Sequence, residues 1–441
     1  MLTTARNLGQ IGLWLGLALA VPPLKAETFC VQHEGRIIGS LHTAETVSQN
    51  VRTAREHWRL YVRGARMEGD LQIKTEVRRG PDGILSASRF YQAGDVMERS
   101  DAQWLNSSWQ IRMQQGADVV QTVGERPLER LPQSHPMAGD VASQFDALNF
   151  EVLPLRFGND GWSDAEQLRR FQTDADGLMP EAVSLLGFHL TLARCTEAIT
   201  ERRRQTLDLD AASGLELPTV LTESQRAGKL GFEFQDVPTA LVLPELTTQT
   251  ARRNGERLAV VVCATCQLHA EMAPAPGPSA TAPNTFVDSN HPAIIAQAAA
   301  LRADTDRHTM QRLVRFVRRH LWDQTDTLGY ASASQALLSA QGNCSEHALL
   351  LAALARANGI PTRIVHGLVY HPSRRHHEAA LLPHLWVQAW IDGQWQHFDA
   401  GQKGYSAGHI ALAISDGDPR SVNDQLTLIL EARVQRVVAL N

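Results

Sequence analysis

The chain has 441 residues, enough for two or three domains, and its 43% hydrophobic and 20% charged residues are typical of an ordinary globular protein. Its formal net charge of -5 excludes the broad basic surface that binds nucleic acid or an anionic membrane. We therefore predict no nucleic-acid partner.

The N-terminus has the pattern of an export signal. Arg6 precedes an apolar run over 11–21 (IGLWLGLALAV), and Ala26 offers a small residue for cleavage. The run is shorter than the roughly 20 residues of a spanning helix, and no later window is apolar enough to span. We predict a signal peptide over 1–26 and a periplasmic or secreted protein with no transmembrane domain after cleavage. The alternative is an N-terminal membrane anchor that is not cleaved.

Four cysteines fit this exported setting. Cys263-x-x-Cys266 follows the strand-like Leu258 to Val262 instead of opening a helix, so the pattern favours a structural disulfide over a thioredoxin-like redox pair. Four cysteines allow three connectivities, and we take Cys263–Cys266 with Cys30–Cys195 as the leading one. A thiol redox protein built around the first pair is the alternative function here.

Residues 27–272 are predicted to form an antiparallel β-rich domain of unknown role. Short alternating segments such as 57–62 and 71–77 are separated by turn signals that include Asp82-Gly83 and Asn254-Gly255. We allow short helices at 164–172 and 222–227. A Pro/Ala-rich linker over 273–289 follows, whose composition predicts an extended spacer.

The remaining residues, 290–441, are predicted to be the catalytic domain. Residues 291–321 have apolar positions at helical spacing, and 426–438 predict a strand or strands that finish the sheet. Ser345 to Asn358 are good helix formers, and Gly359 with Pro361 ends that helix. Cys344 thus lies at a helix N-terminus, where free N–H groups favour a negatively charged sulfur. The alternative is an inert cysteine that packs as a small hydrophobe.

A hairpin downstream supplies two further polar groups. Asp392-Gly393 predicts a two-residue turn that pairs Ile391 with Gln394. In that register His384 and Asp399 are diagonal neighbours on one face, within reach of a histidine–carboxylate hydrogen bond. Trp386 and His397 share the face, where they could contact substrate or simply pack.

Histidines are dense in this region, which raises the question of a metal. Those at positions 366, 371, 376, 377, 384 and 397 fall within about thirty residues. A zinc site shows a pair at fixed spacing with further ligands, and no such pattern occurs. We predict no metal and no other cofactor.

The ordered motifs resemble those of the transglutaminase-like superfamily, papain-related thiol enzymes with bacterial members. They are Gly342-Asn343-Cys344-Ser345-Glu346-His347, Gly359-Ile360-Pro361-Thr362-Arg363, Gly367-Leu368-Val369-Tyr370, His384-x-Trp386 and Asp399. The resemblance implies an α+β catalytic domain in which the nucleophile helix packs on an antiparallel sheet. It implies that Cys344 is acylated, that His384 is its base and that Asp399 orients the histidine. The family's side-chain oxyanion donor lies upstream of the cysteine, where Trp322 and Gln335 are candidates.

These residues predict an exported cysteine acyl-transfer enzyme that acts on an amide of a peptide or of a glutamine side chain. The acyl-enzyme at Cys344 is resolved by water, as in a protease or amidase, or by an amine, as in a transglutaminase. The expected partner is a peptide or protein, with the cell envelope as one source. The alternative is a catalytically idle protein that binds peptide or an envelope partner in the same cleft.

Overall fold

The structure is a computed structural model. It describes residues 25–63, 68–93, 96–115, 117–123, 127–130, 132, 136–148, 150–174, 177–185, 187–196, 203–268, 275–323, 331–372, 379–417 and 423–440. Most of the predicted signal peptide, residues 1–24, lies outside these ranges. None of the helices in the described ranges is long and apolar enough to cross a bilayer.

A large antiparallel sheet occupies the N-terminal part of the chain. Its strands are β1 Lys25–His33, β2 Arg36–Ser48, β3 Val51–Arg63, β4 Glu68–Gly80, β5 Gly83–Ala93, β6 Val96–Leu105, β7 Ser108–Gln115, β8 Ala117–Val123, β9 Val141–Asp146, β10 Glu151–Gly158, β11 Gly161–Ser163, β12 Arg170–Asp174, β13 Gly177–Leu185 and β14 Phe188–Arg194. In the described residues they run in the order β8-β7-β6-β5-β4-β3-β2-β1-β14-β13-β12-β11-β10-β9.

Alternation gives this sheet one buried face. Trp58, Leu60 and Val62 of β3 point to the core, and most of their neighbours on the strand are more exposed. The far strands fold over the near ones, because Phe145 of β9 packs edge-on against Trp109 of β7 with ring centroids 6.0 Å apart. The predicted β-rich region is therefore present.

The next segments cross over to the C-terminal half. They are β15 Leu207–Asp208, α1 Leu209–Ala212, β16 Leu215–Glu216, α2 Glu223–Ala227, β17 Lys229–Gln235, β18 Gln249–Asn254 and β19 Arg257–Cys263. Strand β16 extends the C-terminal sheet, and β17 pairs with the last strand of the chain. A helix predicted at 164–172 is wrong, since 164–169 are turn and bend and β12 follows.

The C-terminal half contains the following elements: a 3-10 helix Pro278–Ala280, α3 Pro292–Leu301, α4 Asp306–His320, β20 Trp322–Asp323, α5 Ala333–Ser339, β21 Gln341–Gly342, α6 Cys344–Ala357, β22 Thr362–His371, β23 Ala380–Ile391, β24 Gln394–Phe398, β25 His409–Ser415, α7 Asn423–Leu430 and β26 Arg433–Leu440. Their main sheet runs β16-β23-β22-β25, with β24 paired to β23. Helix α6 is buried between this sheet and helices α3 to α5, through residues such as Leu350 and Leu351.

Two expectations about this half differ from the structure. Residues 426–438 do not finish the catalytic sheet, because α7 covers the first of them and β26 pairs with β17 in a separate sheet of order β18-β19-β17-β26. The described part of the predicted spacer, 275–289, is docked and not extended. Phe286 and Val287 are buried in the core beside α6, where apolar burial outweighs the composition of the preceding stretch.

Candidate active site

Cys344 begins helix α6, and the sequence around it explains why the helix begins there. Asn343 is the N-cap, and its side-chain oxygen accepts the Ser345 N–H at 2.8 Å. Glu346 completes a capping box, because its Oε2 accepts the Asn343 N–H at 2.9 Å. The cap leaves the Cys344 side chain partly exposed at the positive end of the helix dipole.

Glu346 also ties this turn to its surroundings. Its Oε1 accepts the Ala331 N–H at 3.1 Å, and burial raises the pKa of this carboxyl despite the two backbone bonds. Gly342 is required on steric grounds, since a Cβ there would lie 2.4 Å from the Glu346 Cβ. The Gly-x-Cys-x-Glu spacing is thus a packing and capping unit around the thiol.

Replacing Glu346 by alanine should lower both stability and turnover. The substitution leaves the N–H groups of Asn343 and Ala331 without their acceptor, at a cost of about 1–3 kcal/mol for each group that stays buried. We expect a lower Tm and a kcat reduced by about tenfold, with KM little changed. Thermal melts and steady-state kinetics test this, and Glu346→Gln is the control because it retains one acceptor. An unchanged kcat would contradict the positioning role.

His384 and Asp399 meet as the hairpin register requires. The β23–β24 ladder pairs Ile391 with Gln394 and continues to Val387 opposite Phe398, which is the predicted register. Asp392 and Gly393 both have positive φ, as an Asp-Gly hairpin turn needs. Beyond the ladder, His384 Nε2–H donates to Asp399 Oδ2 at 2.8 Å, and both side chains are buried.

The thiol also acts on this imidazole. With Nε2 committed to Asp399, Nδ1 of His384 is the nitrogen left for Cys344, which is near enough to raise the pKa of the ring. Burial lowers the pKa of His384, but the interactions with Asp399 and Cys344 outweigh burial and raise that pKa to about 10. Gly401 leaves the approach open, because a Cβ there would lie 3.2 Å from His384 Cε1 and 3.9 Å from the Cys344 Cα.

Asp399 has a second histidine partner that the sequence reasoning missed. His409, at the start of β25, donates Nε2–H to Asp399 Oδ2 at 2.9 Å, while its Nδ1 accepts the Ser406 N–H at 3.2 Å. Burial lowers the pKa of His409, which favours its neutral form. Burial would raise the pKa of Asp399, but the two histidines hold it well below its usual range. A histidine that opens the apolar run IALAI was the only signal available in the sequence.

Arg318 is another residue whose role the sequence reasoning missed. The Arg318 guanidinium on α4 donates to the Asp399 carbonyl at 3.0 Å and to the Gln402 carbonyl. Asp399 Oδ1 in turn accepts the N–H groups of Gly401 and Gln402 at 2.8 and 3.0 Å. The loop that carries Asp399 is therefore fixed by the Arg318 guanidinium and by hydrogen bonds to the Asp399 side chain.

Arg318→Met should loosen this loop while keeping the apolar part of the side chain. We expect kcat to fall by about fivefold to tenfold, because loss of hydrogen bonds from a charged donor costs about 1.5–3 kcal/mol in total and part of that loss reaches the orientation of Asp399. Steady-state kinetics and hydrogen exchange over 399–402 measure both effects. The neighbour Arg315→Met is the control, since Arg315 is exposed and should change neither quantity.

Trp386 and His397, the predicted substrate-binding pair, lie on the face of His384 as the register predicts, and they pack against neighbouring rings there. Trp386 is 1% exposed and packs under the imidazoles of His384 and His409, so it has no surface to offer a substrate. Its Nε1–H donates to His397 Nδ1 at 2.8 Å, and His397 Nε2 bonds Thr248 Oγ1 at 2.9 Å. Burial lowers the pKa of His397, so this network supports the floor of the site with a neutral ring.

The two oxyanion candidates differ in their surroundings. Gln335 accepts the Ser332 N–H at 2.8 Å as the cap of α5. Trp322 is 76% exposed and pairs with Gln341, three residues before Cys344. The first is thus committed to a local structural bond, and the second lies beside the short strand that leads to Cys344.

Four cysteines form disulfides, and three buried polar side chains lie close enough together to hold a metal ion. Cys30 bonds Cys195 and Cys263 bonds Cys266, which leaves Cys344 as the free thiol. In the described part of the chain, one group of three side chains could hold a metal ion, with the ligand atoms of His384, Asp399 and His409 within 4.8 Å of one another. An ion bound there would have to replace both histidine–carboxylate hydrogen bonds.

Comparison with known proteins finds a similarity in the C-terminal half. Residues 295–400 match the model of the transglutaminase-like superfamily. Among solved structures, a candidate cysteine protease from Cytophaga hutchinsonii is 16% identical, with a TM-score of 0.31 over 49% of this chain and 84% of its own. The periplasmic domain of TgpA from Pseudomonas aeruginosa is 15% identical, with a TM-score of 0.28 over 53% and 85%. A candidate protease from Parabacteroides distasonis is 12% identical, with a TM-score of 0.22 over 85% and 70%. No curated protein matches the chain.

Proposed function

We propose, from the premise that residues 295–400 form a transglutaminase-like superfamily domain, that this protein is an exported cysteine acyl-transfer enzyme acting on an amide. The observation that carries the proposal is the chain of contacts from Cys344 through His384 to Asp399. A partly exposed thiol at a helix N-terminus meets a buried imidazole that a carboxylate holds in one orientation. Nucleophile, base and orienting group are the parts that thiol acyl transfer needs.

In the proposed reaction, the Cys344 sulfur attacks the amide carbon and forms a thioester, and the C–N bond breaks. His384 carries the proton, which passes to the departing nitrogen as it leaves. The positive end of the α6 dipole favours the negative oxygen of the tetrahedral intermediate. Water or a second amine then attacks the thioester and gives its proton to His384, and the sulfur is released.

Export is the second part of the proposal. An N-terminal signal over 1–26 and two disulfides suit an oxidising compartment outside the cytoplasm. The protein is then periplasmic or secreted, and its substrate is a peptide or protein found there. Sequencing the N-terminus of the mature protein should find Glu27 as its first residue. An intact Met1 would favour the membrane-anchored alternative.

The deciding experiment follows two products at once. The mature protein is incubated with a glutamine-containing protein and a labelled primary amine, and covalent label and free ammonia or new peptide termini are both measured. Cys344→Ala is the comparison. Label incorporation that depends on Cys344 identifies transamidation, and ammonia or peptide release without incorporation identifies hydrolysis.

A separate assay measures the reactivity of the Cys344 thiol and does not depend on the choice of substrate. Iodoacetamide should alkylate Cys344 at neutral pH, because the other four cysteines are in disulfides. His384→Ala should slow that alkylation. Peptide binding with neither product nor alkylation would support the idle binding protein instead.

A further inference from the structure

A cavity of about 280 Å³ lies inside the large N-terminal sheet, between strands β1 to β4 and the strands β9 to β13 that fold over them. Much of its wall is apolar. Phe29, Trp58, Leu148, Phe171 and Met179 contribute large side chains to it. Its volume is near the lower end of the range for small-molecule sites, which are mostly apolar with a few polar groups.

Glu56 is one of the carboxylate residues that line this cavity. Glu56, on β3, uses Oε2 to accept the Trp58 indole N–H at 3.1 Å and the Thr75 hydroxyl at 3.3 Å. Its other oxygen, Oε1, has no hydrogen-bond partner among the described residues. Burial raises the pKa of Glu56, yet the residue keeps accessible surface because it faces the cavity. In the described part of the chain, no protein donor therefore meets the second oxygen of this carboxyl group.

Other ionised groups of the cavity wall are paired within the protein. Arg79 bonds Glu129 at 2.6 Å, and Arg52 bonds Glu45 at 2.9 Å. Arg169 bonds Asp164 and Asp424 at 3.1 Å, and Lys25 lies 3.4 Å from Glu27. Glu56 differs from them because no cation in the described part of the chain forms an ion pair with it. A second acceptor on the wall, Gln144 Oε1, is buried and has no described partner either.

We propose that this cavity binds a small amphiphile whose apolar chain carries a primary amine. The apolar walls receive the chain, and the ammonium group donates to Glu56 Oε1. The ligand and the cavity are complementary in hydrogen bonding, because the unpaired groups accept hydrogen bonds and an ammonium has three N–H donors. A buried carboxylate also gains an ion-pair partner, which Glu56 lacks among the described residues. An alcohol of the same length supplies one donor without the charge, and a carboxylate places a like charge beside Glu56.

Binding of three octyl compounds to the full mature protein tests this. Octylamine, octanol and octanoate are titrated calorimetrically at neutral pH, each below its aggregation concentration, using both wild type and Cys344→Ala. We expect octylamine to bind with one-to-one stoichiometry, octanol to bind more weakly, and octanoate to bind at least tenfold more weakly than the amine. The Cys344→Ala protein should bind octylamine equally well, because the cavity is separate from the thiol.

Two variants connect the binding to Glu56. Glu56→Gln keeps the size of the side chain and should weaken octylamine binding about tenfold, the effect expected for loss of one charge-assisted hydrogen bond. Glu76→Gln is the matched control, since this carboxylate pairs with Arg55 on the opposite face and should leave affinity unchanged. Equal affinity for the three compounds, or equal octylamine affinity in wild type and Glu56→Gln, would overturn the proposal.

A direct view of the ligand keeps the test independent of variant folding. In crystals grown with 8-bromooctylamine, the anomalous signal of bromine should lie among Phe29, Leu148 and Met179. Bromine found only on the outer surface, or no binding of octylamine to wild type, would overturn the proposal even if Glu56→Gln fails to fold.

Discussion

Replacing Asp399 by asparagine is expected to reduce kcat at neutral pH by a factor of about 10² to 10⁴, the scale seen when the orienting carboxylate of a catalytic histidine is removed. An asparagine can still accept the N–H groups of Gly401 and Gln402, so the loop should stay folded. It cannot accept from both His384 and His409 with the strength of a carboxylate. The imidazole of His384 then loses both its fixed tautomer and its stabilising charge.

The same substitution should change the pH dependence. Asp399 and Cys344 raise the pKa of His384 from 6.5 to about 10 against the opposing effect of burial. Without the carboxylate, burial acts with less opposition, so His384 loses its proton at a lower pH. For stability, the paired imidazolium contributes fully below about pH 6.5, and the contribution is lost as pH rises toward 10. The alkaline limits of both activity and stability should therefore move to lower pH in Asp399→Asn.

Rate profiles from pH 5 to 11 for wild type, Asp399→Asn and His409→Gln check this prediction. His409→Gln is the matched control, because it removes one donor to Asp399 and keeps the carboxylate charge. We expect its kcat to fall by about tenfold with a smaller shift of the alkaline limit. If Asp399→Asn retained kcat within about threefold and the wild-type pH profile, His384 would not depend on Asp399.

Gly367→Ala is expected to destabilise the C-terminal half by about 3 kcal/mol, the upper end of the usual cost of overpacking. A Cβ at this position would lie 2.1 Å from the Ile410 carbonyl oxygen and 2.6 Å from Trp386 Cη2. Relief requires either separation of β22 from β25 or movement of the indole beneath His384. Activity should therefore fall together with stability, which urea unfolding and kinetics would measure.

Gly401→Ala is expected to lower activity by crowding the site without lowering stability through disturbed packing. Its new methyl would meet His384 Cε1 at 3.2 Å, a contact that a shift of a few tenths of an ångström can relieve. We expect a stability change within about 0.5 kcal/mol, as for most surface substitutions, but lower activity because the methyl stands beside Cys344. Equal losses of stability in the two alanine variants would show that the close approach at Gly367 is not a constraint.

The parts of the site that follow from sequence are those fixed by local geometry. Asp392-Gly393 determines a two-residue turn, and the turn determines the register that brings His384 toward Asp399. The helix start at Cys344 likewise follows from its own capping residues. These features depend on neighbours within about fifteen positions, so a single sequence contains the information.

Contacts between distant segments were not accessible in this way. His409 and Arg318 reach Asp399 from β25 and α4, and no spacing rule links them to it. The docked Phe286 was hidden by the Pro/Ala composition just before it. Trp386 was assigned correctly to the face of His384, but parity could not reveal that β22 and β25 cover that face.

The crossing of β26 to β17 has a consequence for how the chain can acquire its structure over time. Residues 229–235 are synthesised before their strand partner at 433–440. In the same way, β16 is synthesised before its partner β23. The large N-terminal sheet can form during its synthesis. The C-terminal half that carries the thiol can complete its sheets only after its last strands have been synthesised. A fragment begun at residue 290 would leave Leu368, Ile410 and Leu412 uncovered, since their cover comes from the earlier strands. We expect such a fragment to aggregate, so the second half of this chain depends on the first for its solubility.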